Sequence, residues 1–314
     1  MGFKVDFGMH ATTCSTKYRG VTWPLTRPIP RCLYGANLAT QTEFDAQKKE
    51  ADKVLAHWEL YVKIFHRMAN RALVVGDLCC SQGGASIGIR RLQAIPVGAD
   101  IEYQQHYVDN FGEGSFVQAD ATNEDIIAQL SQLEAVGALK ELDGLWASPP
   151  CQGSSQLPKA GGGLTDSSEP RLIGKTREML KRSGKPWIIE NVMGAISQGD
   201  LEQHLCLRNV DFGLRACRPR AFESSFPLYK ELDSRKLAKR CCLGNTTRLP
   251  RLDFMGRRVK GGCCNSNWKG VYSTPSLGVT IDDWFESMDI EPGSMSARGL
   301  ALSIPPKFSQ LLVS

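Results

Sequence analysis

A chain of 314 residues can bury a substantial core and hold one large domain plus a small one. No run approaches the roughly 18 apolar residues of a membrane span, and no apolar segment follows basic residues at the N-terminus, so a soluble intracellular protein is expected. Eleven cysteines at this length fall far below the density of small secreted domains, which points to a reducing compartment and away from a disulfide scaffold; the net charge of +5 is modest.

Residues 1–52 are poorly patterned, with an extended proline-rich stretch from Trp23 to Pro30, and are read as an N-terminal extension of unknown role. From Lys53 to Met68, Val54, Leu55, Trp58, Val62, Phe65 and Met68 recur at near-helical spacing, which predicts an amphipathic helix. Strand-like and helix-like runs then alternate: Leu73 to Leu78, Ala85 to Leu92, Pro96 to Ile101, Gln104 to Phe111, Ser115 to Gln118 and Glu124 to Leu130. Leu142 to Ala147, Glu169 to Lys181 and Pro186 to Glu190 continue the series. Such alternation predicts an α/β fold, a doubly wound and mostly parallel sheet with helices on both faces. Residues 53–225 are expected to form that domain.

After Phe226 the pattern changes to short polar runs punctuated by glycine, so residues 226–280 are expected to form a small second lobe. Residues 281–314 would close on the main domain through two short helices, Ala297 to Leu302 and Pro305 to Leu312. From Leu228 to Gly270 eleven Lys and Arg stand against three acids, giving this segment +8 and leaving −3 for the rest. A basic block on a slightly acidic body is the footprint of phosphate-backbone contact, with Arg248, Arg251, Arg257 and Arg258 as candidate DNA-binding residues; its bland alternative is a solvated loop. The same lobe holds Cys241-Cys242 and Cys263-Cys264, but vicinal pairs are not the usual Cys-x-x-Cys spacing, so thiols are expected there and no metal.

The most informative stretch is residues 148 to 155, Ser-Pro-Pro-Cys-Gln-Gly-Ser-Ser. Pro149 and Pro150 fix two consecutive φ angles and remove two amide donors, so Cys151 emerges from a stiff turn at the carboxyl end of a short buried strand. Open α/β sheets bind ligands at that edge. Taken alone, the turn is equally compatible with an incidental buried cysteine.

Further motifs follow a fixed order. Asp77-Leu-Cys-Cys-Ser-Gln-Gly-Gly84 follows an apolar run, Glu102 and Asp120 each follow a further strand-like run, and Glu190-Asn191-Val192 and Arg218-Pro-Arg220 come later. Together with Pro-Pro-Cys-Gln, these resemble the DNA cytosine-5 methyltransferases, whose pattern includes Asp-Leu-Phe-Cys-Gly-x-Gly-Gly, Pro-Pro-Cys-Gln, Glu-Asn-Val and an Arg-x-Arg pair. The resemblance covers about residues 71 to 225. It extends more weakly to the tail, where Ile304-Pro-Pro306 is similar to a closing segment of phage and bacterial members.

The resemblance implies a Rossmann-like methyltransferase fold and S-adenosylmethionine as cofactor. Asp77, Cys79, Gly83 and Gly84 would surround its methionine part, with Pro150 also at the cofactor. Glu102 would take the ribose, Asp120 the adenine amino group, and Tyr103 would stack on the adenine. Where the family has Phe and Gly, this loop has Cys79 and Ser81, losing an aromatic wall and a conformationally free position. A dinucleotide site competes, but the loop lacks Gly-x-Gly-x-x-Gly spacing.

By the same resemblance Cys151 is the nucleophile that adds to C6 of cytosine, Glu190 the acid at N3, and Arg218 and Arg220 the partners of the exocyclic oxygen, while Asn191 braces the loop. The resemblance implies double-stranded DNA as substrate, and in a duplex the base must first leave the helix. The compact chain suits a phage or bacterial modification enzyme, with a cognate restriction endonuclease as a candidate partner, cytoplasmic there or nuclear in a eukaryote. An RNA cytosine-5 methyltransferase acting on tRNA and a catalytically silent DNA-binding relative are the alternatives.

Overall fold

The computed structural model describes residues 41–138, 140–150, 172–202, 204–214, 218–228, 251–252, 258–259, 285–286 and 288–313. The described residues divide between two compact units, one of residues 55–207, 219–230 and 302–314, the other of residues up to 54, 208–218 and 231–301. These units follow contacts along the chain, whereas the expected boundaries at 52, 225 and 280 follow its composition.

The first helix, α1 (Gln41–Ala69), starts twelve residues before the apolar periodicity at Lys53. Its leading turns carry Glu43, Lys48, Lys49 and Glu50, good helix formers without an apolar stripe, so periodicity could not locate them. The following elements are β1 (Val74–Leu78), α2 (Gly84–Arg91), β2 (Ile95–Asp100), α3 (Gln105–Phe111), β3 (Phe116–Gln118), α4 (Ile126–Gln132) and β4 (Gly144–Ala147). The alternation continues with α5 (Leu172–Arg182), β5 (Trp187–Asn191), α6 (Gly194–Ser197), β6 (Leu205–Leu207) and β7 (Arg220–Ser224). After β7 come the two-residue strands β8 (Arg251–Leu252) and β9 (Arg258–Val259), then α7 (Ala297–Leu302) and α8 (Pro306–Val313).

Seven strands form one sheet in the order β3-β2-β1-β4-β5-β7-β6. The first five are parallel, while β7 runs antiparallel to both β5 and β6. Strand β1 is buried along its whole length, as expected for a central parallel strand covered on both faces, and its Val and Leu residues need no polar alternation. Its entry is pinned by Arg71, whose Nη1 and Nη2 each donate to Asp143 at 2.6 Å, while Asp143 Oδ2 accepts the Val74 N–H at 2.7 Å. The core lies around Leu78, Val97, Ala99, Leu130, Leu145, Ala147 and Ile189, beneath the carboxyl ends of these strands.

Helix α8 seats on α2. A Cβ at Gly88 would collide with the Pro306 carbonyl and the Ser309 hydroxyl, and one at Gly84 would meet the Ile304 backbone at 2.7 Å. Ser309 Oγ donates to the Ala85 carbonyl at 2.7 Å. The glycine pattern of this helix therefore serves close packing of the Ser-Ile-Pro-Pro tail, with residues 303–306 buried. In the other unit, Gln47 Nε2 donates to the Asp211 carbonyl at 2.8 Å and Asn209 Nδ2 to Met288 Sδ at 3.5 Å.

Candidate active site

Strand order reverses between β1 and β4, and the loops leaving β1, β2, β3 and β4 share the carboxyl edge of the sheet. The loop after β1 turns sharply. Cys79 and Ser81 have φ of 57° and 47°, and Gly83 has φ of 90° as it enters α2. The departures from glycine and phenylalanine thus fall where the backbone is left-handed, a conformation glycine reaches freely and serine only at a cost of about 1 kcal/mol. Ser81 is held there by its N–H, which donates to Asp100 Oδ2 at 2.9 Å.

Asp77 is sealed in the sheet at 1% exposure. Its Oδ2 accepts from Ser86 Oγ at 2.6 Å, and that hydroxyl lies 3.1 Å from the Tyr107 hydroxyl. Burial pushes the Asp77 carboxyl up to about 7, against the Ser86 hydrogen bond, with the Asp100 and Glu190 carboxylates adding to the rise. Burial likewise pushes the Cys79 thiol up to about 12 and the Cys80 thiol well above its usual range, so both are neutral thiols and not rival nucleophiles. Cys79 packs against the main core from its edge.

Strand β2 ends at Asp100, two residues before Glu102. The strand-end carboxylate that the sequence argument gave to Glu102 is therefore Asp100, which accepts the Ser81 and Glu102 amides at 2.9 and 3.0 Å. The expected strand runs through Ile101, whereas β2 ends one residue earlier; Ile101 is 69% exposed beside Asp100. Glu102 is exposed. Tyr103 turns its ring edge-on to Phe116 and donates its hydroxyl to Glu113 Oε1 at 3.1 Å. Asp120 follows β3 and accepts the Thr122 N–H and hydroxyl, each at 2.8 Å, bonds that hold its carboxyl below the usual carboxylate range. Lys175 Nζ reaches the same Thr122 hydroxyl at 3.1 Å.

Beyond β4 the Ser148 N–H donates to the Leu78 carbonyl at 3.0 Å, setting the start of the Pro-Pro turn against the loop that leaves β1. Pro149 is buried and Pro150 exposed. The Asn191 side chain donates its Nδ2 to the Pro149 carbonyl at 3.0 Å. Glu190, the next residue back on β5, faces Arg220 of β7, with Arg220 Nε 2.7 Å from Glu190 Oε1. Both side chains are largely buried, and the contact is an ion pair whose N–H is not aligned as a directed hydrogen bond. Arg218 is fully buried, and β7 begins at Arg220. Cys151 lies outside the described residues, as do Arg248, Arg257, Cys241, Cys242, Cys263 and Cys264. Arg251 and Arg258 fall on β8 and β9, which pair antiparallel.

This sheet order, with an antiparallel β7 inserted before β6, and the carboxylate edge beyond β1 to β3 define an S-adenosylmethionine-dependent methyltransferase fold. Residues 73–206 match the family model described as C-5 cytosine-specific DNA methylase, and over that segment the chain resembles those enzymes, in agreement with its motifs. That match supports methyltransferase activity directed at cytosine.

Among solved structures, a DNMT2 from Spodoptera frugiperda is 14% identical, covering 77% of this chain and 98% of its own, with a TM-score of 0.45. A putative DNA modification methyltransferase encoded within an Escherichia coli prophage is 14% identical over 77% of this chain and 97% of its own, with a TM-score of 0.43. Entamoeba histolytica EhMeth is 14% identical over the same shares, with a TM-score of 0.46. None of the curated protein sequences matches this chain.

Cytosine-5 methyltransferases of this fold use S-adenosylmethionine as methyl donor. The edge fits it. Asp77 Oδ1 is a buried acceptor that takes no hydrogen bond among the described residues. Asp100, Glu102 and Asp120 supply carboxylates suited to ribose hydroxyls, an exocyclic amine and a cationic ligand. The loop offers no Gly-x-Gly-x-x-Gly nest for a pyrophosphate. The sequence reading did not single out Asp100, which ends β2, or the exposed Ile101 beside it. The signal available was that Asp100 directly ends the apolar alternation of β2.

Proposed function

We propose that the protein methylates C5 of cytosine in DNA through a covalent adduct between Cys151 and C6 of a base rotated out of the helix. The observation that carries this reading is the Glu190–Arg220 ion pair at 2.7 Å, one residue from the Asn191 side chain that braces Pro149, two positions before Cys151. A carboxyl group and a guanidinium so placed complement one edge of cytosine, the first at N3 and the second at the exocyclic oxygen. Arg218, two positions before Arg220 in sequence, is read as its companion in binding the base.

S-adenosylmethionine, when bound, supplies a methyl group on a positively charged sulfur. Asp77, Cys79, Gly83, Gly84 and Pro150 line its methionine side, Asp100 and Glu102 accept the ribose hydroxyls, Asp120 the adenine amine, and Ile101 and Tyr103 give the adenine apolar cover. Cys151 as thiolate forms a bond to C6, and Glu190 stabilises the charge that addition places on the ring. C5 is then nucleophilic; after it takes the methyl group, loss of its proton returns the electron pair to the ring and expels the Cys151 thiolate. The basic segment with Arg248, Arg251, Arg257 and Arg258 holds the duplex while the base is out.

Bisulfite sequencing of DNA from cells expressing the protein, with tRNA from the same cells read in parallel, tests substrate and context together. A covalent complex with 5-fluorocytosine DNA that forms with wild type and not with Cys151→Ala is expected. Modified tRNA with unmodified DNA would replace the DNA reading by the RNA one, and no modification of either would leave the binding-module alternative.

A further inference from the structure

On the face of β7 opposite Arg220 lies a buried charge network that the chemistry above does not use. Arg177 of α5 donates Nε to Glu223 Oε1 and Nη2 to Glu223 Oε2, the second at 2.8 Å. The same Nη2 donates to the Asp200 carbonyl, and Glu223 Oε2 also accepts the Glu202 N–H at 2.8 Å. Arg177 and Glu223 are 7% and 3% exposed. One carboxylate thus ties together a helix, a strand and the turn at residues 200–202.

Burying such a pair gains little stability over apolar side chains of the same volume, because desolvation offsets the attraction. Its effect is on register. Strand β7 pairs with β5 through Ile188↔Ser224, Ile189↔Glu223, Glu190↔Phe222 and Asn191↔Ala221. Alternation places Arg220 and Phe222 on one face, where Phe222 meets Trp146 and Phe308 at ring separations of 5.8 and 5.7 Å, and Ala221 and Glu223 on the other. Both faces carry an apolar residue, so hydrophobic patterning alone separates the registers poorly. A slip of one residue would send Arg220 away from Glu190, bring Glu223 to the aromatic face and leave buried Arg177 with only the looser Glu202 carboxylate, 3.6 Å from its Nη1.

We propose that the Arg177–Glu223 pair is a register lock on β7 and that both are positioning residues that bring Arg220 to Glu190. This rests on the reading of Glu190 and Arg220 as the groups that bind the base, and it predicts an effect on turnover that stability does not share.

The test is the apolar double variant Arg177→Met/Glu223→Leu, with Arg177→Lys as the conservative single change. The double variant is expected to fold, to melt near wild type and to keep its S-adenosylmethionine affinity. Its kcat for cytosine methylation is expected to fall by about 10- to 100-fold, the scale of an ångström-sized displacement of a reacting group. Arg177→Lys, which keeps the charge but not the two-pronged geometry, should recover part of that loss. A crystal structure of the double variant should show Arg220 withdrawn from Glu190. Wild-type kcat in a folded double variant overturns the lock, and so does failure of the double variant to fold, which would make the pair a stability element. If wild-type protein methylates no cytosine, the functional reading fails separately, and the lock is read on the carbon-13 carboxyl signal of Glu190. A titration altered in the double variant sustains it, and one identical to wild type overturns it.

Discussion

The Ser81 N–H donates to Asp100 Oδ2 at 2.9 Å, so the carboxylate that ends β2 also fastens the left-handed turn leaving β1. One acid therefore joins the two halves of the cofactor edge. Because the hydrogen bond runs from the backbone, it is independent of the side chain at position 81, and glycine can replace serine without losing it.

Ser81→Gly is expected to raise stability by up to about 1 kcal/mol, since relief of left-handed strain outweighs the added freedom of the unfolded chain. Urea denaturation measures this directly. A loss of stability of similar size would show that the Ser81 side chain contributes more than its backbone conformation costs.

Asp100→Ala should weaken S-adenosylmethionine binding by roughly 1–3 kcal/mol, and Glu102→Ala by less, because Asp100 ends the strand at the edge while Glu102 is exposed two residues beyond. Calorimetric titration of both variants, with circular dichroism to confirm folding, separates them. The reverse ranking would restore Glu102 as the principal ribose acceptor.

Asp77 gives the protein a pH dependence of definite sign. Its folded-state value of about 7 lies above the unfolded 3.8, so between these values the native state holds a proton that the unfolded chain has released. Stability should fall as pH rises from about 4 to about 7 and level off above, by up to a few kcal/mol from this group. Asp77→Asn removes the titration and should flatten that slope in denaturation curves taken from pH 5 to pH 8. An unchanged slope would assign the pH dependence to other groups.

Replacing Arg248, Arg251, Arg257 and Arg258 together with Gln should weaken DNA binding on every sequence and lower the salt slope by up to about one unit per lost phosphate contact. Affinity measured against salt concentration decides it. Unchanged affinity and slope would reduce the +8 segment to a solvated loop.

Local patterning carried far in this chain. Strand and helix positions from Leu73 to Asn191 follow the sequence reading to within about three residues, because buried parallel strands and short amphipathic helices announce themselves in single stretches of sequence. The order of motifs placed their residues on strand ends without any knowledge of contacts. The polar first half of α1 escaped because helix propensity without an apolar face leaves no periodic mark. Strands β6 and β7, of three and five residues, escaped because pairing stabilises them, β7 with β5 and β6 with β7.

By itself the sequence determined the chemical inventory: a cysteine on a rigid turn, a Glu-Asn pair, an Arg-Pro-Arg, a glycine loop and a separate basic block. Tertiary structure alone decided which of these groups meet. It ended β2 at Asp100 instead of beyond Ile101, spent Gly84 and Gly88 on the returning tail, and set Arg220 against Glu190 through an antiparallel strand. The Glu190–Arg220 contact closes across 30 residues of chain (220 − 190) and the Gly84–Ile304 contact across 220 (304 − 84), and no local pattern encodes them. They follow from strand register, from the space left between packed helices, and from the requirement that buried charges find partners.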